Sequence, residues 1–170
     1  YEHNENIALT AHSADEWTIN GWTGVDSSNG DTAAVAMDFD KTITANFAQV
    51  PDVTDPATVT DLAVDSPTSD SLRLLWTAPG DNGSSGTASQ YDIRYSTSAI
   101  LDETDWNNAD QASVEPAPST AGSSQSFTLG GLNDGTTYYV ALKTADEVPN
   151  WSDVSNCANG TTTKNLSGWA

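Results

Sequence analysis

Leu72-Arg73-Leu74-Leu75-Trp76, Tyr91-Asp92-Ile93-Arg94-Tyr95 and Leu132-Asn133-Asp134-Gly135-Thr136-Thr137-Tyr138-Tyr139-Val140-Ala141-Leu142-Lys143 carry the strongest structural signal in this chain. With Val59-Thr60-Asp61-Leu62-Ala63-Val64 before them and Phe127-Thr128-Leu129 among them, they fill the region from Ala57 to Thr163. Each run is short, rich in β-branched or aromatic residues, alternating in polarity, and bounded by Gly, Pro, Asn, Asp or Ser. That is the pattern of half-buried strands joined by tight turns. The region predicts one antiparallel β-sandwich, a fold that points away from catalysis.

Working outward, Gln49-Val50-Pro51-Asp52-Val53-Thr54-Asp55-Pro56 reads as a short, stiff linker over residues 49–56, because paired prolines hold the chain extended. Residues 1–48 then form a smaller unit. Strands are expected at Ile7–Ala11, Glu16–Trp22, Ala33–Met37 and Lys41–Phe47, with Trp17, Ile19 and Gly21 on one face and a loop from Gly24 to Thr32. No window carries a helical period. Residues 57–163 make the sandwich, and residues 164–170 a tail containing Leu166 and Trp169. The fold class expected is all-β: a small incomplete sheet, then a seven-stranded sandwich.

Composition narrows the partners. The chain has 24 acidic and five basic residues, a net charge of −19. Nucleic acid is excluded as a partner, since binding it requires a basic stripe that displaces counterions. Nothing approaches the ~20 apolar residues that span a bilayer, so no membrane insertion is expected. Neither is a signal peptide, for the first residues lack a basic region followed by an apolar one. Cys157 is the single cysteine, expected as a small buried hydrophobe inside a strand. Few cysteines with many Ser, Thr, Asn and Gly suit an extracellular prokaryotic protein.

Two stretches carry family resemblances. Ile7-Ala8-Leu9-Thr10-Ala11, Trp17-Thr18-Ile19-Asn20-Gly21-Trp22-Thr23-Gly24, Val35-Ala36-Met37-Asp38 and Lys41-Thr42-Ile43-Thr44-Ala45-Asn46-Phe47 resemble the divergent internalin-type B-repeat of bacterial surface proteins. That repeat opens with a strand pair that would precede Tyr1, so the sheet is expected to be incomplete. The larger region resembles a fibronectin type III domain, which is immunoglobulin-like in architecture. Trp76 stands where that family has its core tryptophan, and Tyr138 where it has the tyrosine corner. The ending Lys143-Thr144-Ala145-Asp146-Glu147-Val148-Pro149-Asn150-Trp151-Ser152 is similar to the prokaryotic subgroup. The resemblance implies a fold and an architectural role, with no shared active site.

Candidate sites follow. His3 and His12 are the only histidines, and no Gly-x-Ser-x-Gly elbow accompanies them, so no catalytic triad is expected. No cofactor is required. In a sandwich of the resembled kind, the loop at Asp81 and Asn82, the loop at Asp146 and Glu147, and the entering segment with Asp55 lie at one pole. Oxygen ligands from several loops are what Ca²⁺ needs, so a Ca²⁺ site at the domain junction is one expectation. Trp76, Trp17, Trp22, Trp106 and Trp151 are expected to pack in the interior; an exposed tryptophan would instead offer a platform for glycan. Sequons at Asn82, Asn150, Asn159 and Asn165 are about as many as chance supplies in so Asn- and Ser/Thr-rich a chain. Leu166 and Trp169 in the tail, with the open edge of the small sheet, raise head-to-tail pairing between copies of the chain. The functional expectation is a non-catalytic extracellular structural or adhesive protein, a self-assembling filament subunit or a binder of other surface proteins. The alternative is an accessory module of a secreted prokaryotic hydrolase, serving as spacer or glycan binder.

Overall fold

The computed structural model describes residues 5–14 and 16–165, which divide after Asp52 into two units. In the first, β1 (Glu5–Thr10) pairs antiparallel with β4 (Thr32–Met37), and β4 also pairs with β3 (Ser27–Asn29). A separate ribbon joins β2 (Trp17–Thr23) to β5 (Thr44–Gln49). Strand β3 lies inside the segment expected to be loop. It forms because Gly30, at φ +59, allows the two-residue turn that folds Ser27–Asn29 back on β4.

A second difference lies in β2. The register shifts between Ile19 and Gly21, so Ile19 faces Phe47 while Trp22 faces Ala45. The extra residue of a β-bulge reverses side-chain parity, and Trp22 replaces Gly21 on the face shared by Trp17 and Ile19. That face is thinly covered. Trp17 is 45% and Phe47 41% exposed, and only Ala33 and Val35 of this unit are buried among the described residues. The interior place expected for Trp17 is therefore corrected. Five short strands in two separate ladders leave the Trp17 and Phe47 side chains partly uncovered.

The second unit has two sheets. One has the order β10 (Ser124–Gly130), β7 (Ser71–Thr77), β6 (Ala63–Asp65). The other has the order β12 (Ala158–Thr161), β11 (Thr137–Ala145), β8 (Gln90–Ser96), β9 (Asp110–Gln111). These seven strands form an antiparallel sandwich. Its core takes Leu72, Leu74 and Trp76 from one sheet and Tyr91, Ile93, Val140 and Leu142 from the other. Alternate residues point inward, as the period of two requires.

The run Val59–Val64 was expected to be a strand, yet only Ala63–Asp65 joins the ladder. Asn156 substitutes for it upstream: its Oδ1 accepts from Leu62 N at 2.9 Å and its Nδ2 donates to Leu62 O at 2.8 Å. The segment 151–157 behaves alike along β11. Ser152 Oγ accepts from Thr144 N and Ser155 Oγ accepts from Leu142 N. Cys157 consequently precedes β12 rather than lying in it, half-buried against a second apolar cluster.

That cluster explains the one helix among the described residues, which forms where no helical period is read. Residues Glu103–Asn108 form α1, capped by Asp102, whose side chain accepts from Thr104 N and Asp105 N. At six residues the helix is too short for periodicity to reveal, but Asp102 ahead of an acidic first turn was a readable start signal. It buries Trp106 with Ile100 against Ala141, on the outer face of the four-stranded sheet.

Tyr138 fixes the entry to β11. Its hydroxyl accepts from Asn133 N at 3.0 Å, while Thr162 Oγ1 donates to Asn133 O at 2.6 Å. Tyr138→Phe is expected to lower stability by about 1–2 kcal/mol, because the Asn133 N–H is left without its acceptor. Chemical denaturation with an unchanged m-value checks this. No measurable loss would show that the corner bond is replaced by solvent.

Candidate functional site

One pole of the sandwich gathers the loops at residues 78–89 and 146–157. Gly80 N donates to Gly83 O at 2.9 Å, and the entering segment closes on the same glycine. Gly83 N donates to Asp55 O at 3.0 Å, and Ala57 N donates to Gly83 O at 2.9 Å. Pro56 is buried and bridges in parallel to Gly83. The proline segment thus ends as part of the sandwich.

The acidic residues here are held by their own loops. Asp81 Oδ1 accepts from Asn82 N at 2.9 Å, and its carboxylate fills the space a Cβ at Gly86 would need. Gly86 has φ +78, so glycine is required there twice over. Asp146 is 2% exposed. Its Oδ1 accepts from Val148 N at 3.0 Å and Asn150 N at 2.8 Å, and its Oδ2 accepts from Asn150 Nδ2 at 2.7 Å. A buried carboxylate taking three donors rigidifies a turn. Glu147 is exposed beside it. Among the described residues no three His, Cys, Asp or Glu side chains come together as a metal-holding group. The bonds to Asp81 and Asp146 fix the geometry of their own loops.

The outer face of the four-stranded sheet carries a second constellation. Arg94 pairs with Asp92 at 3.0 Å, donates from Nη1 to Trp106 O at 3.1 Å, and lies 4.9 Å from the Trp106 ring centroid. Lys143 sits 5.4 Å from the same centroid and reaches Glu103 Oε1 at 2.6 Å. Cation–π contacts and ion pairs hold α1 to the sheet. Trp106 is buried as expected of a packing residue, whereas Trp151 is 38% exposed.

Beyond β9, Glu115 Oε1 accepts from Ile93 N at 2.7 Å, so a carboxylate continues the ladder where backbone stops. Burial raises its pKa above the ordinary value, Asp92 adds to the rise, and the Ile93 bond opposes it. Its neighbour Val114 is 93% exposed at φ +59, a strained conformation for a β-branched residue.

Each unit has a cavity. At the pole, about 220 Å³ is lined by Val59, Asp61, Ala78, Pro79 and Ser84, and Asp61 accepts from Thr77 N. In the first unit about 350 Å³ lies beside Asp26, Phe39, Asp40 and Lys41. There Lys41 is held between Asp38 at 3.1 Å and Asp26 at 3.7 Å. Neither lining includes a histidine or a cysteine. His12 is exposed, and His3, Leu166 and Trp169 lie outside the described residues.

Two substitutions test these assignments. Asp146→Ala should destabilise by about 3 kcal/mol, since three donors lose a charged acceptor. Millimolar Ca²⁺ should raise the Tm no more than NaCl of equal ionic strength; a larger rise, reversed by EDTA, would bear out the metal expectation. Glu115→Gln keeps the Ile93 acceptor and removes the charge. A carboxyl whose folded pKa is raised stabilises the fold while protonated and loses that contribution as pH rises through the raised value. The variant should therefore exceed the parent by up to about 1 kcal/mol at neutral pH, a gain limited by partial exposure. The difference should vanish in acid, and equal stabilities at neutral pH would show that this carboxylate costs nothing.

Known proteins fit this geometry. A family model described as "Fibronectin type III domain" matches residues 57–157. Human calcium-activated chloride channel regulator 1 is 37% identical over 117 residues, covering 65% of this chain and 13% of that protein. Human calcium-activated chloride channel regulator 4 is 32% identical over 163 residues, covering 85% of this chain and 18% of that protein. The chain thus spans less than a fifth of the length of these relatives. A crystal structure of titin domains aligns with 95% of this chain and 60% of that one, at a TM-score of 0.52 and 15% identity, a likeness of fold alone. These relatives are human, so they do not bear out the prokaryotic likeness read at Lys143–Ser152. The family match begins at residue 57, which leaves the internalin-type likeness of residues 1–48 as a resemblance of sequence only. Over the sandwich, strand order, core tryptophan and tyrosine corner agree with the matched family, and the chain belongs to the fibronectin type III domain family.

Proposed function

We propose that this chain is a non-catalytic extracellular module of a larger protein, acting as a rigid spacer and recognition surface. The observation that carries the reading is how the sandwich uses its side chains. Its large apolar residues close on one another between the sheets, and its buried carboxylate Asp146 is used up in holding a loop. What remains outward is anionic. Of the five Lys and Arg residues, Lys41, Arg73, Arg94 and Lys143 are each paired with a carboxylate of this chain. A surface so charged repels like molecules and favours cations or basic partners. The similarity to calcium-activated chloride channel regulators supports a place within a longer chain.

Self-assembly is the second reading. It is favoured by the exposed Trp17 and Phe47 on the β2–β5 ribbon and by the open edges of the first unit. The accessory-module reading has Trp151 as its available aromatic platform for glycan.

Protease added to intact cells should remove an epitope placed in this module of the parent protein while sparing a cytosolic marker. Protection of the epitope would overturn the extracellular reading. Light scattering separates the other two: growth of large particles with concentration supports assembly, and deletion of residues 164–170 without effect would remove the tail from it. Retention on insoluble glycan that Trp151→Ala abolishes would favour the accessory module.

A further inference from the structure

Four Asn-Gly pairs occur in the described residues, Asn20-Gly21, Asn29-Gly30, Asn82-Gly83 and Asn159-Gly160, and the fold treats the last three differently. We propose that Asn29 is a site of spontaneous, enzyme-independent covalent modification, converting in water to aspartate and isoaspartate, while Asn82 and Asn159 are protected. The reaction begins when the backbone nitrogen of the following residue attacks the side-chain carbonyl carbon. The new Cγ–N bond forms, the Cγ–Nδ2 bond breaks, and ammonia leaves carrying the proton of the attacking amide. Water then adds to one of the two imide carbonyls, and the opened C–N bond leaves either product. Nothing is oxidised, and water is the only co-reactant.

Glycine is the least hindered residue to supply that nitrogen, but the amide must be free to reach the side chain. At Gly30 it is. Its N–H makes no hydrogen bond among the described residues, and a Cβ built there would meet nothing within 4 Å. Asn29 is exposed, ends the three-residue edge strand β3, and is followed at once by the turn. All of β3 is exposed, so opening it uncovers no buried side chain.

Asn20-Gly21 lies inside the β2–β5 ladder, with Gly21 opposite Asn46. The pairs at Asn82 and Asn159 are tied down on the sandwich. Gly83 N donates to Asp55 O at 3.0 Å, and Asn82 is bridged to Ser85. Asn159 lies in β12 opposite Tyr139, next to buried Ala158, with Gly160 opposite Tyr138. Reaction at either must wait for local opening of a segment packed on the sandwich, and local opening costs range from near zero at frayed edges to the global stability. Each ~1.4 kcal/mol of that cost slows the reaction about tenfold.

The product would act on the turn itself. Isoaspartate inserts a methylene into the main chain at the closing pair of the β3–β4 hairpin. Thr32 Oγ1 donates to Asn29 O at 3.0 Å and Trp22 Nε1 donates to Gly30 O at 3.1 Å, so both anchors of the turn are disturbed. A further carboxylate also joins a chain already at −19.

The purified chain is aged at neutral pH and body temperature, and peptide mass spectrometry with isoaspartate detection follows Asn29, Asn82 and Asn159. A parallel sample is kept unfolded in urea. Native Asn29 should react at least about tenfold faster than native Asn82 and Asn159, and in urea the three rates should converge. Equal native rates, or faster reaction at Asn82 or Asn159, would overturn the proposal. So would a native Asn29 that stays intact while its unfolded counterpart reacts.

Discussion

Trp76 of β7 meets Tyr91 of β8 edge-on, with ring centroids 5.2 Å apart and planes at 88°, across the gap between the two sheets. Aromatic rings of this size dominate core energetics, and the edge-to-face arrangement suits their quadrupoles. Around the pair close Leu72, Leu74, Ile93 and Leu142, all essentially without exposure. The contact has a cost. Among the described residues neither Trp76 Nε1 nor Tyr91 Oη makes a well-formed hydrogen bond; burial pushes the Tyr91 hydroxyl pKa up, and the neighbouring Trp76 side chain opposes that rise. Two orphaned polar atoms are tolerated because the same rings supply the apolar area that joins the sheets. Everything at the pole is mounted on this joint.

Around the joint, side chains repeatedly stand in for backbone. Asn156 completes the edge beside Leu62, Ser152 and Ser155 extend the ladder of β11, and Glu115 extends that of β8. Each occurs where a strand has stopped but a buried N–H still needs an acceptor. This is how short strands make a closed sandwich without long ladders. It also explains why polar residues such as Ser152, Ser155 and Asp146 are buried without marking a reactive site.

Charge and packing divide the labour differently in the two units. The sandwich holds a contiguous apolar core and uses its cations to clamp α1 and the β6 edge, where Arg73 grips Asp65 in a bidentate pair at 2.7 and 2.6 Å. The first unit has little core. Its order rests on β-ladders, on the Lys41 bridge to Asp38 and Asp26, and on the glycine turn at Gly30. Such a unit opens more readily than a packed sandwich, because less apolar surface is uncovered when it does.

The period-two runs at Leu72–Trp76, Tyr91–Tyr95 and Tyr138–Lys143 were enough to specify a β-sandwich, because a half-buried strand must alternate and inward residues must be apolar. Trp76 and Tyr138 were legible as framework residues through the resemblance to the fibronectin type III family, which has a core tryptophan and a tyrosine corner at these positions. Acidic loop residues were legible only as acids. Whether Asp146 faces solvent, a cation or its own backbone depends on three donors presented by a loop fold, and no spacing rule encodes that. The same holds for Gly86, required by a carboxylate five residues earlier, and for Glu115, whose partner Ile93 is distant in sequence. The bulge at Asn20 and the exposure of Trp17 belong to this class too. Local alternation is a property of one strand and can be read along it; burial and hydrogen-bond satisfaction are properties of neighbours that only tertiary folding brings together.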